Sequence, residues 1–78
     1  MSEEERKRFF RYSLRRYQAL GPAAVRLQIF KLRDRFVSED FMSEENFWEL
    51  YKDLVETNGW NDSHVLAYFE TYTFEKVA

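Results

Sequence analysis

Cysteine is absent from this 78-residue chain, proline occurs once and glycine twice. Without cysteine there is no disulfide, no thiolate metal site and no thiol nucleophile. So few Gly and Pro residues cannot supply the turns of a sandwich or barrel, which need a breaker about every 10 residues. Uninterrupted apolar stretches run only a few residues, so no membrane span and no secretory signal are expected. The chain is accordingly expected in the cytoplasm, away from membranes.

Catalytic and ligand-binding patterns are equally scarce. The single histidine lies in Asn61-Asp62-Ser63-His64. Three such residue types in a row do not make a triad, because neighbours at a helix start point in different directions. Glu45, Glu49 and Asp53 follow one another at i, i+4. A di-iron bundle also needs two Glu-x-x-His pairs, however, and none is present. A calcium loop and a glycine-rich phosphate cradle are missing as well. No catalytic residue, cofactor, metal or small-molecule substrate is therefore assigned, and the chain is not expected to be an enzyme.

What the chain does hold is apolar bulk. Nearly half of it is hydrophobic, and eight Phe, five Tyr and two Trp make 19% of it aromatic. Leu, Ile, Val and Phe together form about a quarter of the residues, above the range of disordered chains. Boundary signals divide this material. Gly21-Pro22 is read as a helix stop in the left-handed conformation followed by a helix start. Asn58-Gly59 is a second stop. Ser2, Ser43 and Asn61 stand where N-caps are needed. Ser2 with Glu5 has capping-box spacing, while Met42/Phe47 and Trp60/Val65 have the spacing of hydrophobic staples. The expected fold is one compact all-α domain over residues 1–78. Its four helices cover roughly 3–19, 22–37, 44–58 and 62–75, and the first two form a tight αα-hairpin.

Each helix face then carries information. The first helix gathers Phe9, Phe10, Ser13, Leu14, Tyr17 and Leu20 on one side and Lys7, Arg8, Arg11 and Arg15 on the other. The third has Phe47, Trp48, Leu50, Tyr51, Leu54 and Val55 opposite Glu45, Glu49, Lys52, Asp53 and Glu56. The second helix bears two apolar stripes, one of Val25, Ile29, Leu32 and Phe36, the other of Ala23, Leu27, Phe30 and Val37. Either the other helices cover both stripes, which is the simpler arrangement, or one stripe meets a partner. In the last helix Phe74 and Val77 project away from the main face, and Thr71–Phe74 is β-prone.

Charge is divided along the chain. The net charge is −2, yet residues 1–36 hold ten Lys and Arg against four acids, and residues 37–78 hold two against ten. Arg8, Arg11, Arg15 and Arg16 are the candidate charged contact, and Leu27, Phe30 and Val37 the candidate apolar one. Arginine and aromatic side chains are enriched at interface cores. The expected function is thus a small protein-binding regulator or inhibitor acting on another protein or on a second copy of itself. The alternative is a nucleic-acid-binding regulator using the basic face of the first two helices.

Overall fold

A computed structural model describes the backbone over residues 2–77 and the side chains over residues 2–72. Phe74 and Val77 fall outside the described side chains. Four helices follow in order: α1 (Glu3–Gln18), α2 (Pro22–Ser38), α3 (Glu44–Asn58) and α4 (Asp62–Val77). Three starts are capped as their sequences suggest. Ser2 Oγ accepts from Glu5 N at 3.1 Å, Ser43 Oγ from Asn46 N at 3.1 Å and Asn61 Oδ1 from His64 N at 3.1 Å. Each bond satisfies one of the amides that a helix start leaves without a partner.

The stops differ from expectation at one place. Gly59 adopts the left-handed conformation (φ 69) and ends α3. Gly21 does not: at φ −71 and ψ 160 it is extended and caps the start of α2. A residue before proline is pushed into the extended region, and α1 closes without a left-handed residue through Leu20 N donating to Tyr17 O. Among the described residues the other left-handed one is Asp40 (φ 59). There Phe41 N donates to Phe36 O and Asp40 N to Val37 O, the two bonds of a Schellman stop. Phe41 packs edge-on against Phe36, with centroids 5.5 Å apart.

α4 is the central helix. It packs against α1 on one side and against α2 and α3 on the other, while α2 also meets α3. Val65, Leu66, Ala67 and Phe69 are fully buried in consequence. At the core, Phe36, Phe47 and Phe69 come from α2, α3 and α4. Phe47 stacks on Phe69 at 4.5 Å, and Phe36 meets both edge-on at 5.8 and 5.6 Å. Such pairs add to plain area burial.

Two expectations change here. The tight αα-hairpin is not what the packing shows: α1 and α2 are joined by residues 19–21 only, yet the principal neighbour of α1 is α4. Nor do the other helices cover both stripes of α2. Val25, Ile29, Leu32 and Phe36 are buried, whereas Leu27, Phe30 and Val37 remain 53%, 41% and 43% exposed. The three helices packed around α4 leave α2 on the outside, so one of its sides faces water.

Candidate binding surfaces on α1 and α2

The exposed side of α2 has a regular spacing. Ala23, Leu27, Phe30, Asp34 and Val37 follow one another at steps of four, three, four and three residues, the seam spacing of packed helices. All five are exposed. Phe30 extends the seam toward α3, meeting Trp48 edge-on at 5.8 Å. The Arg33 guanidinium lies over both rings, 5.5 Å from Phe30 and 5.7 Å from Trp48. Its charge is met by Asp34 at 2.8 Å and Glu44 at 3.5 Å. A cation between two rings and two carboxylates holds Phe30 in place without covering it. Both edges of the seam carry cations, Arg26 and Arg33 on one side and Lys31 and Arg35 on the other, and of these Arg26, Arg33 and Arg35 also pair with carboxylates of the chain itself.

Three of the four candidate arginines come together. Arg8, Arg11 and Arg15 surround Tyr12 at a shallow depression of about 250 Å³, and Tyr12 is 63% exposed. Among the described residues no carboxylate lies within 4 Å of these three arginines. Arg16 turns elsewhere. Its Nη2 donates to the Tyr17 hydroxyl at 3.2 Å, and that hydroxyl donates to Glu70 Oε1 at 2.6 Å. Burial raises the Tyr17 phenol pKa, with the bond to Glu70 adding to it. The bond to Tyr17 raises that of Arg16. Arg16 is thus engaged in joining α1 to α4.

The basic residues of α2 are also partly engaged. Arg26 Nη2 donates to Asp62 Oδ2 at 3.4 Å, and Tyr51 donates to Asp62 Oδ1 at 2.7 Å, so α2, α3 and α4 meet at one carboxylate. Burial, then the Asp62 bond, raises the Tyr51 phenol pKa. His64 shares the Asn61 cap, with Nδ1 3.1 Å from Asn61 Oδ1, and packs beside Phe10 and Trp60. Neither Asp62 nor Ser63 is hydrogen-bonded to it. Among the described residues no cluster of three His, Cys, Asp or Glu side chains has the arrangement of a metal site, and no helix is long and apolar enough to cross a membrane.

The regular spacing on α2 is a signal that sequence inspection can find, because it depends on residue number alone. The engagement of Arg16 cannot be found that way, since the Tyr17 hydroxyl to which it donates is held by Glu70, 53 residues beyond Tyr17. No protein family, no curated protein and no solved structure matches this chain.

Proposed function

We propose that the chain is a non-enzymatic regulator or inhibitor that acts by binding one helix of another protein along the exposed seam of α2. The observation that carries this is the exposure of Leu27, Phe30 and Val37 at heptad spacing. Helix-in-groove and helix-to-helix recognition read such anchors. The basic edges choose the partner's chemistry. Self-pairing through α2 sets cations along cations, which is unfavourable, whereas a partner helix with Glu or Asp beside its apolar stripe complements them. Occupying that helix denies it to competitors, and this is the regulatory action.

The test uses two synthetic amphipathic helices sharing one leucine stripe, one with glutamate edges and one with lysine edges, alongside light scattering of the free chain. The chain is expected to be monomeric and to bind the glutamate peptide in the micromolar range, the lysine peptide at least about tenfold more weakly. Phe30→Asp is expected to abolish binding while the helical circular dichroism is retained. Equal binding of the two peptides, or none, overturns the proposal. A dimer that Phe30→Asp dissociates replaces it with self-association.

A second reading rests on the separate α1 surface: Arg8, Arg11 and Arg15, with no carboxylate neighbour among the described residues, around an exposed Tyr12. Phosphates pair with such arginines, and a base stacks on such a ring. The nucleic-acid alternative therefore narrows from two helices to α1.

A further inference from the structure

A third surface, separate from the α2 seam, lies where α1 crosses α4. Phe10 of α1, Trp60 from the turn before α4, and Tyr68 and Tyr72 of α4 wall a groove of about 520 Å³. That volume falls within the range of small-molecule sites, about 300–1,000 Å³. Phe10 and Trp60 are tilted with centroids 6.2 Å apart, and Trp60 meets Tyr68 edge-on at 5.8 Å. All four rings are only partly buried, so ring surface faces the groove. Thr71, also at the lining, donates its hydroxyl to Tyr68 O at 2.6 Å and is thereby turned to its own helix. Lys7 and Arg11 stand among the lining residues, both exposed and, among the described residues, with no carboxylate within 4 Å.

We infer that this groove binds a flat aromatic carboxylate of one or two rings. Aromatic walls favour an aromatic guest through edge-on and offset contacts, and the cations that line it, Lys7 and Arg11 together with Arg6, select an anionic one. Arg11 presents a planar fork suited to a carboxylate, and Lys7 adds a mobile point charge. Trp60 reports occupancy directly, because its indole forms one wall, while Trp48 sits against Phe30 and Phe47 on the other side of α4.

The experiment is an NMR titration of the two indole N–H signals, assigned with Trp48→Phe, using 2-naphthoate as the probe and 2-naphthamide as its neutral counterpart. The Trp60 signal is expected to shift and saturate below about 1 mM 2-naphthoate while Trp48 stays in place. The amide is expected to bind at least about tenfold more weakly, and Lys7→Glu with Arg11→Glu to weaken 2-naphthoate binding by about tenfold or more. Because both substituted residues are exposed, their helical circular dichroism is expected to match that of the unaltered chain. Should the pair fail to fold, raising the salt concentration on the unaltered chain reads the same charge contribution, since screening weakens it. Lack of saturation, equal binding of acid and amide, movement of Trp48 in place of Trp60, or insensitivity to both charge reversal and salt each overturns the inference.

Discussion

At the residue scale, backbone conformation separates two glycines that look alike in sequence. Gly59 is left-handed and Gly21 extended, and neither has an atom that a Cβ would meet within 4 Å. The same substitution is therefore expected to differ through backbone strain at Gly59 and through the helix cap that a side chain can add at Gly21. Gly59→Ser should lose about 1–2 kcal/mol, and Gly21→Ser should be neutral or gain a few tenths by adding a cap. Urea midpoints of the two variants check this. Ser13 is a third case: its Oγ is buried with no partner among the described residues. Ser13→Ala is accordingly expected to stabilise by up to about 1 kcal/mol, because a buried hydroxyl without a partner costs free energy. Tyr17 and Tyr51 set the alkaline limit. Both phenols have raised folded-state pKa values, so their contribution is complete below the ordinary tyrosine range and is lost as pH climbs through the folded values. Stability should fall above about pH 10, and Tyr17→Phe with Tyr51→Phe should flatten that fall in denaturation curves taken against pH.

At the scale of the element, α2 is a helix with a core side and a water side of similar apolarity. Its interior face ends in Phe36, fully buried among Phe41, Phe47 and Phe69. Phe36→Ala is expected to cost about 3–5 kcal/mol, as large aromatic truncations in cores do. Phe30→Asp on the other face should cost less than about 1 kcal/mol, since most of what it loses is its contact with Trp48 and Arg33. The ratio of the two, read from thermal or urea unfolding, tests whether the α2 seam belongs to the core. The boundaries of all four helices were legible within a residue or two, because caps and periodicity act locally. Even Asp40, unannounced by any glycine, is a residue type that tolerates the left-handed region. The assignment of the two stripes was not legible in this way. Both have helical spacing, and nothing local to α2 says which one α4 will cover.

At the scale of the molecule, the divided charge becomes a spatial one. α1 packs on one side of α4, and α3, with exposed Glu45, Glu49, Asp53 and Glu56, packs on the other. Cross-links between the halves draw on Arg26, Arg33 and Arg16. Arg8, Arg11 and Arg15 are left outside that set: among the described residues no carboxylate pairs with them. If α1 takes up a polyanion through these three, retention should fall about twenty- to fortyfold between 50 and 200 mM salt. Arg11→Glu with Arg15→Glu should abolish it. Binding to heparin or single-stranded DNA columns measures this, and retention indifferent to salt removes the second functional reading.

Sequence alone determined the number, limits and class of the elements, because amide capping and the 3.6-residue period are properties of short stretches of chain. It offered seven chain positions, Arg8, Arg11, Arg15, Arg16, Leu27, Phe30 and Val37, as candidate contacts. Tertiary structure alone decided that α4 and not α2 is central, that α1 leaves α2 for α4, and that Arg16 is tied to Tyr17, and through it to Glu70, while its three companions are not. The physical reason is common to all three. Amphipathic helices of similar apolarity can pair in several ways, and the choice among pairings follows from how large side chains such as Phe36, Phe47 and Phe69 fit together at a distance in sequence.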